Sequence, residues 1–273
     1  MSDEVKLVRL DSKGRTEGAR LADVFPDWNE GQECFMMLSP HDDDVVLGAG
    51  LLIELARREN VPVYIGVVTD GSMGYCSIEE KDSISQIRRE ETFECYQGLG
   101  VPRENVVWMS FPDCRLNNYC GRSPVAEDLP YAIAGHAGLQ NSFTHYIRNI
   151  KPTRCILPTS TDVHPDHWIV SEEFLISLFH ANGGIWPELG QALPQIPAVY
   201  EMAVYCDFPS PPTIRVAVSD EMLEKKLNAI GAYKSQKQIL SLIENVRSGG
   251  AQEFFRDVEF KLYKPNFYED MFK

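Results

Sequence analysis

The chain has 273 residues, 44% of them hydrophobic and 24% charged, and this length suits one large α/β domain as well as two smaller ones. It carries 40 Asp and Glu against 26 Lys and Arg, a formal charge of −14 that argues against a general nucleic-acid binder. No signal peptide is evident at the start, and no run of about 18 apolar residues predicts a membrane span. We therefore expect a soluble, cytoplasmic protein that does not act at a membrane.

The seven cysteines do not form a recognisable framework. They lie at positions 34, 76, 95, 114, 120, 155 and 206, an odd number without a CxxC pair. This spacing argues against both a disulfide scaffold and a zinc module held by thiolates, and we expect reduced thiols.

Short apolar runs alternate with segments of helical periodicity along the chain. An apolar run at 34–39 ends at Pro40, and a helical pattern follows at 45–59. The same alternation recurs further on, which predicts an α/β fold with a mainly parallel sheet and helices on its faces. The remaining predicted strands are 61–69, 105–111, 154–159, 198–205 and 213–219, and the remaining predicted helices are 83–100, 142–152, 168–184 and 220–234.

No repeat or break in composition divides the sequence, so residues 1–273 are predicted to form a single domain. Residues 1–33 and 240–273 receive no specific role. They are available to cover the sheet edges, to form a wall of the pocket or to make a subunit contact, which leaves a homo-oligomer open.

Two polar loops follow predicted strands. The first is SPHDDDVVLGAG at 39–50 and the second is TSTDVHPDHWIV at 159–170. Because ligands bind outside the carboxyl ends of the strands in an open parallel sheet, these loops are the best candidates for a functional site.

The residue types in the two loops predict a metal site. His41 and Asp44 are three apart at a strand-to-helix turn, and His167 in the second loop supplies a third ligand. Two imidazoles and a carboxylate suit a catalytic zinc, which leaves one position for water, and an aspartate that is not a ligand can accept a proton from that water. An Asp run is also typical of a solvated helix N-terminus, but that would not explain histidines in both loops.

The motifs resemble those of the LmbE-like, or PIG-L, family of zinc-dependent deacetylases, which remove acetyl groups from N-acetylglucosamine conjugates. The family's His-Pro-Asp-Asp-Glu motif stands here as His41-Asp42-Asp43-Asp44-Val45, and its His-x-Asp-His motif as His164-Pro165-Asp166-His167. The resemblance extends over roughly residues 34–236, through TDG at 69–71, IRREE at 87–91, FPDCRL at 111–116 and KLNAIGAYKSQ at 226–236.

The resemblance implies a three-layer Rossmann-like sandwich with its site at the C-terminal ends of the strands. It implies that His41, Asp44 and His167 bind Zn²⁺, that Asp43 is the general base, and that His164 stabilises the oxyanion or protonates the leaving amine, with Asp166 as its orienting partner. The same ligands also suit Fe²⁺. The implied partner is a small-molecule amino-sugar conjugate. Weaker substrate-binding candidates, in segments that resemble the family, are Asp70, Arg88 and Asp113.

The first motif departs from the family at two positions. Asp42 replaces proline, which we expect to loosen the turn and to raise the pKa of its neighbours by like-charge repulsion. Val45 replaces glutamate and removes a contact near the metal or the substrate.

Three other functions are considered for these motifs. A metal-dependent phosphoesterase would need a second metal ion and more bridging carboxylates than the motifs offer. A non-haem iron oxygenase shares the ligand types, but the α/β order and the available aspartate favour hydrolysis. A non-catalytic sugar-binding relative is suggested by Asp42 and Val45, although the retained Asp43 argues against it.

Overall fold

Strands and helices alternate through most of the chain in this computed structural model, which describes residues 5–12, 14–126, 128–260, 263 and 265–273. The strands are β1 (Lys6–Asp11), β2 (Gly14–Gly18), β3 (Phe35–Ser39), β4 (Val63–Thr69), β5 (Val106–Phe111), β6 (Ser123–Pro124), β7 (His136–Ala137), β8 (Arg154–Pro158), β9 (Ala198–Met202), β10 (Ile214–Ala217) and β11 (Gln252–Val258). The α-helices are α1 (Leu21–Val24), α2 (Asp44–Arg58), α3 (Ile84–Gly98), α4 (Leu139–Ile150), α5 (Pro165–Asn182), α6 (Asp220–Ile230) and α7 (Ile239–Gly249). Short 3₁₀ helices are Ile78–Glu80, Arg103–Asn105, Leu116–Tyr119, Pro187–Leu189 and Pro265–Phe272.

The central sheet has nine strands in the order β2-β1-β10-β11-β9-β8-β3-β4-β5. The five strands from β9 to β5 pair in parallel, and this block confirms the predicted α/β core. The strands β2, β1, β10 and β11 extend it in antiparallel pairing. All of these strands belong to one continuous sheet, whereas the single-domain organisation of the whole chain stays a prediction.

Alternating side chains of β3 divide the core into two layers, one on each face of the sheet. Phe35 and Met37 join the apolar cluster formed with α2, α3 and α6. Met36 and Leu38 face the other way and pack with α4 and α5. The strand is buried on both faces, as expected for the middle of a parallel sheet, and it carries the first polar loop at its carboxyl end.

The structure differs from the predicted elements mainly near the chain ends. The hairpin of β1 and β2, helix α7 and strand β11 lie in segments that received no assignment from sequence. Helix α6 begins as predicted after Ser219, whose hydroxyl accepts from Met222 N, but it ends at Ile230 instead of Lys234. Among the residues that the structure describes, no helix combines the length and apolarity needed to cross a membrane.

Helix α2, which begins at Asp44, is kinked at Ala49 (φ −142°, ψ 18°). A buried ion pair binds the backbone groups beside the kink: Glu253 accepts from the amides of Leu51 and Leu52, and Lys226 Nζ donates to the carbonyl of Leu47. The Lys226 ammonium and the Glu253 carboxylate are 2.8 Å apart. These contacts replace helical hydrogen bonds and fix the half of α2 that leads to the polar loop.

Lys226→Met should lower the free energy of unfolding by about 3–5 kcal/mol, because it leaves the Glu253 carboxylate buried without its cation. Lys234→Met is the matched control, since the pair that Lys234 forms with Glu94 is exposed. Urea titration monitored by circular dichroism measures the free energy of unfolding of both variants. Equal stability of the two variants would contradict a bridging role for Lys226.

Candidate metal centre and catalytic site

The two polar loops lie side by side because β3 and β8 are parallel neighbours in the sheet. The rings of His41 and His164 are 4.5 Å apart between centroids, and those of His41 and His167 are 5.2 Å apart. The structure therefore brings together the residues that the sequence assigned to a metal site.

Three donor atoms from these loops form a nearly equilateral triangle. His41 Nδ1 lies 3.3 Å from Asp44 Oδ2 and 3.2 Å from His167 Nε2, and that Nε2 lies 3.2 Å from Asp44 Oδ2. Ligands of tetrahedral zinc are about 2.0–2.2 Å from the ion and hence roughly 3.3–3.6 Å from one another. The triangle has the size of one face of such a tetrahedron.

Carboxylates face the other ring nitrogens of the two histidines in the triangle. His41 Nε2 lies 3.4 Å from Asp113 and 3.6 Å from Asp166, and His167 Nδ1 lies 3.3 Å from Asp162. Metal-binding imidazoles are usually oriented by such partners. Asp162 was missed by the sequence analysis, although its position in the loop of His164 and His167 was a signal.

The charges around the triangle shift several pKa values. Burial alone would lower the pKa of His41, but hydrogen bonds with Asp113, Asp166 and Asp44 raise it well above its usual value. Burial also opposes protonation of His167, yet Asp44 and Asp162 raise its pKa to about 9. Burial would raise the pKa of Asp44, but the two imidazoles lower it far below the usual range. The acid is thus ionised and ready to bind a cation.

Three unsatisfied buried atoms lie around the triangle. Asp44 Oδ1, Asp113 Oδ1 and His167 Nδ1 are buried and lack a hydrogen-bond partner of good geometry. None of the three is a donor atom of the triangle: Asp44 Oδ1 is the second oxygen of its carboxylate, Asp113 Oδ1 faces His41 Nε2, and His167 Nδ1 faces Asp162. The size of the triangle and its mixed imidazole and carboxylate donors fit a zinc or iron ion.

Asp43 lies beside the triangle, in the wall of a cavity of about 310 Å³. Its side chain is not part of the triangle, and its Oδ2 accepts a 2.7 Å hydrogen bond from Gln236 Nε2. His164 and Tyr205 also line this cavity. Gln236 and Tyr205 were missed by the sequence analysis; Gln236 lay in a segment that resembles the family, but nothing in the sequence placed it near Asp43.

The second motif is shaped by the start of α5. His164 is the N-cap residue, and its Nδ1 accepts from the amide of Asp166 at 3.3 Å. Pro165 occupies the first helical turn, where its missing amide costs nothing. The carboxylate of Asp166 instead accepts from the amides of Cys114 and Leu116. Asp166 thus contacts His164 through its backbone, while its side chain faces His41.

Comparison with known proteins agrees with the geometry of the site. The family model described as PIG-L, GlcNAc-PI de-N-acetylase, matches residues 36–177. The chain belongs to the PIG-L family. No curated protein matches it in sequence.

Several solved structures share the fold. The N,N'-diacetylchitobiose deacetylase from Pyrococcus horikoshii is 21% identical with a TM-score of 0.65, over 88% of each chain. The conserved protein TT1542 from Thermus thermophilus is 22% identical with a TM-score of 0.62, over 85% of this chain and 97% of that one. GalB from Pseudomonas putida, a 4-carboxy-2-hydroxymuconate hydratase, is 16% identical with a TM-score of 0.62, over 85% of this chain and 98% of that one. Since a hydratase is among them, the fold alone does not decide the reaction.

Asp42, the first departure from the PIG-L motif, does not loosen the turn as expected. Its carboxylate is buried and forms a bidentate pair with Arg88, with distances of 2.8 and 2.6 Å. Its carbonyl accepts from the hydroxyls of Tyr233 and Tyr96. Burial, opposed by Arg88, raises the pKa of Asp42 itself to about 6. The ion pair and the two tyrosines fix the turn that proline would have made rigid.

The expected rise in neighbouring pKa values is wrong for Asp44, because burial would raise its pKa but the imidazoles of His167 and His41 lower it. Val45, the second departure, is fully buried in the apolar cluster on the α2 side of the sheet. It therefore contributes to the core next to the metal centre.

The weaker substrate candidates occupy different places. Asp113 lines the cavity, and its Oδ2 accepts from Met73 N. Arg88 also lines the cavity, and its Nε and Nη2 bind Asp42. Its Nη1 lies beside Gly74, where a side chain would not fit, because a Cβ on Gly74 would lie only 2.8 Å from this nitrogen. Asp70 binds the backbone amides of Ser72 and Asp113. Asp70 thus connects two loops, and substrate contacts of all three stay predictions.

Zinc binding at pH 7 should release protons, because the raised pKa values of His41 and His167 keep both imidazoles protonated in the metal-free protein. The apparent affinity should fall as the pH is lowered, about tenfold per pH unit for each proton displaced. Above about pH 9, where His167 has lost its proton, the dependence should weaken. Calorimetric zinc titrations in buffers of different ionisation enthalpy measure the proton count. Zinc binding at pH 7 without proton release would contradict this ligand set.

Proposed function

We propose that this protein is a metal-dependent hydrolase that removes the acetyl group from the amide nitrogen of an N-acetylglucosamine-type conjugate. The observation that carries the proposal is the triangle of His41 Nδ1, Asp44 Oδ2 and His167 Nε2 with sides of 3.2–3.3 Å, beside a cavity lined by Asp43. Membership of the PIG-L family supports the same chemistry.

His41, Asp44 and His167 are proposed as the metal ligands. A zinc ion bound there supplies a water of lowered pKa and a Lewis acid for the scissile carbonyl. His41, His164 and His167 also form a looser group, with donor atoms within 4.8 Å of one another. We assign Asp44 and not His164 as the third ligand, because Asp44 Oδ2 lies 3.2–3.3 Å from the ring nitrogens of both histidines, which is the spacing of ligands around one zinc ion.

Asp43 is proposed as the general base. It lies in the cavity wall next to the ligand Asp44, and Gln236 fixes its carboxylate. From this position it takes a proton from the attacking water and later delivers that proton to the leaving nitrogen. One carboxylate thus serves as base and then as acid.

His164 is proposed to stabilise the tetrahedral oxyanion. Because its Nδ1 accepts from the Asp166 amide, the proton of the neutral ring is on Nε2, where it can be donated in the cavity. Burial and the charges of His41 and His167 lower the pKa of His164, so the ring is neutral at physiological pH. This favours hydrogen-bond donation to the oxyanion over the transfer of a proton from His164.

The alternative phosphoesterase has one feature in its favour. His41, Asp113 and Asp166 form a second group with donor atoms within 4.8 Å of one another. However, both oxygens of Asp166 already accept from backbone amides, and His41 is shared with the first group. We therefore interpret Asp113 and Asp166 as the residues that orient His41. Two metal ions per chain, with activity on phosphate esters, would favour the phosphoesterase.

The test is acetate release from N-acetylglucosamine conjugates by the protein as purified, after chelation, and after zinc or iron is restored. We expect chelation to abolish release and one of the two metals to restore it. Binding of the conjugates by the metal-loaded protein without acetate release would instead support a non-catalytic sugar-binding relative.

Asp43→Asn should retain the metal and lower kcat by a factor on the order of 10²–10⁴, because the base is lost while the ligands are intact. His167→Ala should lose the metal. The exposed Asp220 at the start of α6 provides a control, Asp220→Asn, which should change neither property. Metal analysis measures the metal content of each variant, and steady-state kinetics measure its kcat. Unchanged turnover in Asp43→Asn would remove Asp43 from the mechanism.

A further inference from the structure

Gln236 lies in the loop between α6 and α7, and the residues just before it fix this loop to the site. The Tyr233 hydroxyl donates to the Asp42 carbonyl at 2.7 Å. The amide and hydroxyl of Ser235 donate to the Glu91 carboxylate at 2.8 and 2.6 Å. Gln236 itself is buried, and these contacts place its side chain in the cavity wall.

The orientation of the Gln236 amide follows from its partner. Asp43 Oδ2, 2.7 Å away, is an acceptor, so the nitrogen of the side-chain amide must face it. The carbonyl oxygen Oε1 then points away from Asp43. No alternative flip of the amide satisfies the carboxylate.

The Oε1 atom of Gln236 is buried and has no hydrogen-bond partner. The residue is only 3% exposed, so bulk water does not satisfy this acceptor. Buried carbonyl oxygens are rarely left without a donor. An unsatisfied acceptor on a residue that lines the cavity and binds the proposed general base indicates a donor that arrives with the ligand.

We infer that Gln236 Oε1 accepts a hydrogen bond from a donor of the substrate close to the scissile carbonyl, either the amide N–H or a hydroxyl on a neighbouring carbon. Gln236 thereby performs two tasks with one amide: Nε2 positions Asp43, and Oε1 selects substrates that carry the donor. This inference rests on the proposed deacetylation and adds the group that the site recognises. A substrate without the donor would leave Oε1 unsatisfied and bind the transition state less well.

Two substitutions separate the tasks. Gln236→Glu keeps an acceptor oxygen but loses the donation to Asp43, whereas Gln236→Met has a similar length and loses both. We expect both variants to have a lower kcat with every substrate, since Asp43 is less well positioned. Only Gln236→Met should lose the discrimination between substrates with and without the donor. Gln238→Met, at an exposed cavity residue of the same loop, is the matched control and should keep that discrimination.

The probes are N-acetylglucosamine, its N-methylated amide and its 3-deoxy analogue. In the zinc-loaded wild type, kcat/KM for one of the two analogues should be at least about tenfold lower than kcat/KM for N-acetylglucosamine. Loss with the N-methylated probe identifies the amide N–H as the donor, and loss with the 3-deoxy probe identifies the hydroxyl. The ratio of kcat/KM for N-acetylglucosamine to kcat/KM for that analogue should return towards one in Gln236→Met and persist in Gln236→Glu. Equal ratios in Gln236→Met and the wild type, no discrimination in the wild type, or its loss in Gln238→Met would each overturn the inference.

Binding separates this inference from the proposed function. If no probe releases acetate, deacetylation of these sugars fails, and the same probes are then titrated calorimetrically against the zinc-loaded wild type and variants. Discrimination in Kd that disappears in Gln236→Met would still support recognition by Oε1. Equal affinities for the three probes, or no binding of any, would overturn it.

Discussion

The structure depends on the burial of three consecutive carboxylates in the turn between β3 and α2. Asp42, Asp43 and Asp44 are each at most 5% exposed, and carboxylates so buried must be paired or hydrogen-bonded. Each has a different partner: Asp42 pairs with Arg88, Asp43 accepts from Gln236, and Asp44 lies between His41 and His167. One short turn thus supplies an anchor, a proposed base and a proposed ligand.

The surrounding fold supplies those partners from distant parts of the chain. Arg88 comes from α3, His167 from α5 and Gln236 from the loop after α6. Parallel pairing of β3 with β8 places the two polar loops next to each other, and the Lys226–Glu253 pair fixes the kink of the helix that begins at Asp44. The antiparallel strand β11 carries Glu253, so the extension of the sheet also stabilises the helix that carries Asp44.

The sequence predicted the features that depend on local patterns. Apolar runs located the parallel strands, and the motifs at 41–45 and 164–167 located the loops that meet at their carboxyl ends. It did not reveal the pairing of Asp42 with Arg88 or of Asp43 with Gln236, because these contacts join residues 46 and 193 positions apart. The hairpin of β1 and β2 and the strand β11 were also missed, since their role depends on tertiary pairing with the rest of the sheet, and so was α7, which packs on α6.

The most direct test of the account is the location of the metal in a crystal of the zinc-loaded protein, from anomalous scattering at the zinc edge. The account predicts one strong peak about 2.0–2.2 Å from His41 Nδ1, Asp44 Oδ2 and His167 Nε2. A peak held instead by His41, Asp113 and Asp166, or a zinc ion bound away from both loops, would contradict it.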